Sequence, residues 1–414
     1  MIAIIGAGPA GAMAAVRLAR AGATVALFDP THPREKPCGG GLTGRALALI
    51  ADLVDIRSLP SVVIDAAVVE PPEPLQAGRS SAAAEVRLTG NGAPGVSLVV
   101  LSRTVFDRAL VEAAVAAGAR LVPEHVVDIT RHGPQFTVRT NLRGHHADYV
   151  IGADGANSIV RKKLATPFLR AHLSVSSGYF VHGATGSSIA IKAMAEQPGY
   201  LWSFPRPDHL AIGICAPATH RVSSAELRAQ SQRWIEHHGV DQGARLVRYA
   251  WPIPSIGDRD PRETPFAGPG WMLLGDAAGL VDPLTREGIY YALLSGQWAA
   301  EALTADLPAR AAQRYAERLN CEVRPEIARA ARLSSPFFSH RFASLLVRAL
   351  RESAPIRDVF VDLVTGVQPY RGLRRRLLAT HEWALAARTI RMLLTPGFTG
   401  TMRPVVLSQA TRRS

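Results

Sequence analysis

The sequence predicts a mixed α/β protein in three parts: a unit built on a parallel sheet, a unit built on an antiparallel sheet, and a helical C-terminal region. Three observations predict it. Short apolar runs at Met1–Ile5, Thr24–Phe28, Tyr149–Ala153 and Trp271–Leu274 pass directly into small-residue turns or a carboxylate, as buried parallel strands do. The segment 166–261 is rich in Val, Ile, Ser and Gly, with Pro-rich turns such as Pro71-Pro72-Glu73-Pro74 nearby. Beyond residue 300 the apolar residues recur at helical spacing.

The chain has 414 residues, 47% of them hydrophobic, which is enough for two or three domains with real cores and excludes a disordered chain. Cys38, Cys215 and Cys321 lie far apart without CxxC spacing. That argues against a disulfide framework, a zinc site or a CxxC-type redox disulfide, and fits a reducing cytosol; no metal is expected. The opening run MIAIIGAGPAGAMAAVRLA lacks the basic start of a signal peptide, and no apolar stretch reaches the roughly 18 residues of a membrane span. The expected location is cytoplasmic, with contact to a membrane, if any, from that side.

The elements follow in order. After Met1–Ile5 come Gly6-Ala7-Gly8-Pro9-Ala10-Gly11, a helix-like stretch to Ala21, the strand Thr24–Phe28 and then Asp29. In this Rossmann-type pattern Gly6 allows a tight turn, Gly8 admits a pyrophosphate to the backbone, and Gly11 lets helix and strand pack closely. The helix start offers free N–H groups and a positive dipole end to phosphates. Asp29, 18 residues after Gly11, is placed to accept from a ribose diol.

Two later segments repeat the sequence of strand, small-residue turn and helix. Tyr149–Ala153 delivers Asp154-Gly155-Ala156-Asn157-Ser158 and a basic helix start, Val160-Arg161-Lys162-Lys163. Trp271–Leu274 runs into Gly275-Asp276-Ala277-Ala278-Gly279, then Asp282-Pro283 and a helix from about Glu287. A lone carboxylate on such a turn suits a polyol, and the helix dipole favours negative charge at the N1–C2=O edge of a flavin.

As an ordered set these motifs resemble the single-Rossmann FAD-dependent oxidoreductases of p-hydroxybenzoate-hydroxylase architecture. LSRTVFDRAL, with Arg103 and Asp107, is similar to that family's helix-start segment, whose arginine usually lies beside the flavin. Three stretches narrow the resemblance to geranylgeranyl reductases: Lys36-Pro37-Cys38-Gly39-Gly40-Gly41-Leu42, Tyr200-Leu201-Trp202-Ser203-Phe204-Pro205, and GDAAGLVDPLTREGIYYAL, in which Arg286 replaces a usual glycine. The resemblance implies FAD held by Gly6, Gly8, Pro9, Ala10, Gly11, Asp29, Cys38, Gly39, Gly40, Arg103, Val127, Asp154, Gly155, Gly275, Asp276, Pro283, Gly288 and Ile289. NAD(P)H or another reductant is the implied transient donor, since no second GxGxxG offers a nicotinamide domain. The implied reaction moves hydride from reduced flavin to a double bond of an isoprenoid or other hydrophobic substrate.

That chemistry needs a proton at the second carbon and a dry apolar cleft. The candidate catalytic residues are Cys38, Tyr200 and Trp202. Cys38 resembles the family's active-site cysteine; a small packing residue is the competing reading. Tyr200, Trp202 and Phe204 alternate at strand period and share a face, either as a wall over flavin and substrate or as ordinary sheet core. The alternative function is a monooxygenase that hydroxylates an aromatic substrate, such as free or peptide-bound tryptophan or a phenol, through a flavin C4a-hydroperoxide. Halogenation is disfavoured, because Lys36, Lys162 and Lys163 sit on turns and helix starts rather than between flavin and substrate.

The resemblance divides the chain into a discontinuous FAD-binding domain (1–60, 98–165 and 262–300), a β-sheet substrate domain (61–97 and 166–261) and an Arg-rich helical region (301–414). The net charge is +13, and residues 340–414 carry 13 arginines against Glu352, Asp358, Asp362 and Glu382. Leu378, Leu385 and Met392, flanked by Leu377 and Ala384, form a stripe beside Arg374, Arg375, Arg376, Arg388 and Arg391. Such a helix either packs on its own domain or meets an anionic surface. Candidate partners are a hydrophobic or anionic substrate, a peripheral membrane surface or an acidic protein; nucleic acid is disfavoured for want of any binding motif.

Overall fold

The computed structural model describes residues 1–72, 83–88, 98–195, 197–219, 222–256, 264–383, 385 and 387. The strands Ile2–Ile5, Val25–Phe28, Tyr149–Gly152 and Trp271–Leu273 are buried almost throughout, because both of their faces are covered. With Arg120–Val122 and Ala267–Gly268 they form a six-stranded sheet. Ile2–Ile5 lies between Tyr149–Gly152 and Val25–Phe28, and every pair is parallel except the Ala267–Gly268 edge. The helices Pro9–Arg20 and Ile289–Ala305 pack together in the same core cluster.

A seven-stranded sheet runs in the order Arg245–Pro254, Leu173–His182, His209–Pro217, Tyr200–Pro205, Ser188–Ala193, Ala66–Glu70 and Ala84–Arg87. It is antiparallel but for one pair, Ser188–Ala193 with Ala66–Glu70, whose strands come from distant parts of the chain. Strand alternation divides its faces. Leu201 packs with Ile212, Ile214 and the helix Ser224–His237, whereas Tyr200, Trp202 and Phe204 share the opposite face with Phe180 and Tyr249.

One short strand joins the two units. Leu98–Leu101 sits between Gly41–Thr43 and Ser61–Val63. Its Val99 and Leu101 enter the core of the parallel sheet, while Leu98 and Val100 pack with Ala67 and Ile189 of the other sheet.

The C-terminal helices include His340–Glu352, Ala354–Val364 and Leu373–Leu378. Ser339 and Ser353 cap the first two by accepting from the amides of Phe342 and Ile356. Val347, Leu350, Phe360 and Leu377 bury against Val69, Ala84 and Val86 at the edge of the seven-stranded sheet. The stripe expected on one helix is interrupted between Leu378 and Leu385: the helix ends at Leu378, and His381 takes a left-handed φ of 58° that breaks the helical path. Leu377 and Leu385 both pack on the protein itself. Ala384, Arg388, Arg391 and Met392 lie outside the described residues, as do Glu73 and Pro74.

Candidate active site

A cavity of about 1120 Å³ opens between the two large sheets and the C-terminal helices. Pockets for a single small molecule run to roughly 300–1,000 Å³, and this one lies above the upper end of that range.

At its dinucleotide end the strand Ile2–Ile5 turns at Gly6 with φ 102°. A Cβ there would stand 2.4 Å from the Ala153 carbonyl oxygen, and one at Gly11 would stand 1.9 Å from that of Gly6. A Cβ on Gly8 would meet nothing closer than His32 Nε2 at 3.8 Å, so that backbone faces open space. The helix Pro9–Arg20 starts there with no side-chain cap and no acid in its first turn. Its free amides are the chemistry a pyrophosphate requires.

Asp29 stands at the end of Val25–Phe28, with both oxygens already engaged. Oδ2 accepts from the Ala7 amide (3.0 Å) and His32 Nδ1 (2.6 Å), and Oδ1 accepts from the Thr31 amide (2.9 Å). Burial opposes its charge, but the His32 contact and the Ala7 and Thr31 amides hold the carboxyl well below the usual range. His32 Nε2 in turn meets Asp107 at 3.1 Å, and Asp107 takes two bonds of 2.8 Å from Arg103. Arg103, Asp107, His32 and Asp29 thus form one continuous charged chain along the cavity wall, with Asp107 behind it. Burial disfavours the His32 charge, yet Asp107 and Asp29 raise its pKa above the ordinary value.

The two later turns close the same end. Asp154 Oδ2 accepts from the Ile159 amide at 2.6 Å, at the start of the helix Ile159–Leu164, while its Oδ1 is buried with no partner among the described residues. Burial raises the Asp154 pKa. Arg161 of that helix donates through Nε to the Ala277 carbonyl (2.6 Å), tying the Asp154 turn to the Gly275 turn. Asp276 Oδ2 pairs with Lys36 Nζ at 3.0 Å. The helix Ile289–Ala305 begins uncapped at Gly288, and both Gly288 and Ile289 line the cavity. An uncovered phosphate-type turn, two open helix starts and an orphaned carboxylate oxygen fit FAD.

The glycine loop forms the opposite wall. Cys38 lines the cavity half-buried, and its Sγ accepts from the Gly40 amide at 3.3 Å. A Cβ at Gly39 would press on the Phe204 ring at 3.0 Å, and Gly40 takes φ 74°. Arg206, fully buried, donates to the Cys38 carbonyl at 2.7 Å and also to Glu35. Glu35 accepts from the Arg103 amide as well, at the start of the helix Arg103–Ala116. Tyr200, Trp202 and Phe204 complete this wall. The Tyr200 hydroxyl donates to the Thr285 carbonyl at 3.1 Å, and its ring stacks on Phe338 with centroids 5.4 Å apart. Burial drives the Tyr200 pKa far up, so the phenol stays protonated.

Residues 1–242 match the family model for the FAD binding domain. Menaquinone reductase of Mycolicibacterium smegmatis is 30% identical over 322 residues, covering 73% of this chain and 76% of that protein. Geranylgeranyl diphosphate reductase of Rhodobacter capsulatus is 30% identical over 317 residues, covering 73% and 75%. The chain belongs to the geranylgeranyl reductase family of FAD-dependent oxidoreductases. A solved geranylgeranyl bacteriochlorophyll reductase-like protein from Thermoplasma acidophilum shares its fold, with TM-score 0.74 and 23% identity across 92% of this chain and 98% of that one.

In this geranylgeranyl reductase family member the cavity wall includes Gly6, Gly8, Pro9, Ala10, Asp29, Cys38, Gly39, Gly40, Arg103, Val127, Asp154, Gly155, Tyr200, Trp202, Asp276, Gly288 and Ile289. Gly11, Gly275 and Pro283 stand behind that wall instead. Gly11 abuts Gly6, and Gly275 lies against Ala10 and Ala292, so neither position has space for a side chain. Pro283 is buried within its turn. Asp29 and Asp276, expected to accept sugar hydroxyls, also carry ion pairs within the protein. Sequence reasoning missed His32, Glu35 and Arg206, because each is defined by partners remote in the chain.

Proposed function

We propose that this FAD-dependent enzyme reduces a carbon–carbon double bond in a long apolar, isoprenoid-type chain. The observation that carries the reading is the apolar part of the cavity lining that includes Tyr200 and Trp202. Ile191, Phe338, Val347, Phe360 and Val364, from the sheet and the C-terminal region, belong to the same lining. The two named relatives act on a menaquinone and on geranylgeranyl diphosphate, both of which carry such chains.

Bound FAD would supply hydride chemistry at the turn end of the cavity. The amides after Gly8 would hold its phosphates, and the uncapped helix start at Gly288 would favour negative charge on the bound group. Tyr200, Trp202 and Phe204 exclude water and orient the apolar chain. Cys38 Sγ holds the proton that reduction requires, since the Tyr200 hydroxyl is committed to the Thr285 carbonyl. Arg206 and Glu35 fix the loop that presents Cys38.

The test is anaerobic. Flavoprotein reduced stoichiometrically is mixed with a polyprenyl diphosphate or a menaquinone, and flavin absorbance and product mass are followed. Reoxidation with a gain of two hydrogens is expected. Reoxidation only in oxygen, with label from oxygen gas in the product, would sink the reading in favour of hydroxylation.

A further inference from the structure

Arg286 occupies the turn between Asp282 and Gly288, where the family pattern usually has glycine. Its φ is 59°, in the left-handed region that disfavours any side chain with a Cβ. Keeping arginine in a backbone shaped for glycine means that its side chain has a use. That side chain lines the cavity beside Tyr200 and Cys215. Both groups sense its charge.

Its polar partners are few. Nη1 donates to Ser255 Oγ, which lies 3.0 Å from Ser174 Oγ, and Nε is buried with no partner among the described residues. Each acid of the neighbouring turn is engaged elsewhere. Glu287 pairs with Arg45 and Thr43, Asp282 accepts from the Leu284 and Thr285 amides, and Asp276 pairs with Lys36. Two more buried donors without a partner among the described residues, Ser176 Oγ and Trp251 Nε1, line the same cavity on paired strands, Ser176 directly opposite Trp251. Unmatched buried donors and a guanidinium with no carboxylate partner among the described residues, all lining one cavity, are costly unless a ligand supplies the acceptors.

We infer that Arg286 is a specificity residue that docks an oxyanion, carboxylate or phosphate, at the substrate end lying against the Tyr200–Cys215 wall. This contact is one that a glycine at the same position could not make. The inference rests on the reductase reading only in taking this cavity as the substrate site.

Calorimetric titration of the FAD-loaded enzyme tests it with three probes of equal chain length: a hexadecyl carboxylate, a hexadecyl phosphate and hexadecanol. The wild type should bind one or both anions about tenfold or more tighter than the alcohol. Whether carboxylate or phosphate binds better identifies the oxyanion. Arg286→Gly and Arg286→Gln should erase the preference while leaving alcohol affinity and flavin content unchanged, and Arg286→Lys should keep part of it. Equal binding of all three probes by the wild type overturns the inference, as does a preference that survives in Arg286→Gly. Loss of flavin, or a shift of its absorbance, in Arg286→Gly with ligand preference intact would assign the guanidinium to the cofactor and also overturn it. If the preference behaves as expected but anaerobic reoxidation fails, the reductase reading falls and the Arg286 assignment stands.

Discussion

His32 shows how one side chain can join a cofactor turn to a helix. Its ring bridges two carboxylates, Asp29 and Asp107, so both nitrogens must donate, and only the charged imidazolium can do so. Because its folded pKa lies above the ordinary 6.5, the stabilisation is complete below that value and fades as pH rises through the raised one. In thermal melts the gap between wild type and His32→Gln should therefore be widest below pH 6.5 and narrow as the pH rises through the raised pKa; a gap independent of pH would mean that the neutral ring suffices. Cys38 makes a different kind of prediction. Cys38→Ala should lower turnover on the order of 100-fold with flavin content unchanged, measured by steady-state assay and flavin absorbance. A fully active variant would remove the thiol from the mechanism.

At the scale of elements, the glycine turn separates contact from packing. Gly11→Val places atoms where the Gly6 carbonyl oxygen already stands, 1.9 Å from an ideal Cβ, and should prevent stable folding. Gly8→Trp has open space around its Cβ and should fold with a melting temperature close to wild type, yet retain no FAD when gel-filtered. If both variants behave alike, the division between Gly8 and Gly11 is wrong. These turns were legible in the sequence because backbone geometry dictates glycine residue by residue, and strand, turn and helix are contiguous. The wall of Tyr200, Trp202 and Phe204 was legible for the same reason, through alternation along one strand. Glu35 and Arg206 were not, since the pair is 171 residues apart and neither belongs to a local pattern. His32 and Asp107 are 75 residues apart and equally silent. The interruption between Leu378 and Leu385 was silent for the opposite reason: a heptad of apolar residues carries no sign of the left-handed break at His381.

On the scale of the whole molecule, the C-terminal helices are part of the cavity rather than an appendage to it. Phe338 stacks on Tyr200, and Phe360 and Val364 belong to the cavity lining. Phe360→Ala should cost roughly 3 kcal/mol of stability in denaturant titration, as large-to-small core changes do, and should raise KM for a long-chain substrate more than for a short one. An equal effect on both chain lengths would place the apolar chain elsewhere. Among the described residues no helix is long and apolar enough to cross a membrane. The strand order also has a consequence in time. Ile2–Ile5 gains its neighbour Tyr149–Gly152 only after about 150 residues have been made, and that strand waits in turn for Trp271–Leu273. At roughly 5–20 residues per second of translation, the first strand leaves the ribosome on the order of 10–60 s before the sheet can be completed. During that interval an apolar edge stands open to mispairing, so flavin capture is a late event in the life of each new chain, and the nascent protein is most vulnerable before it.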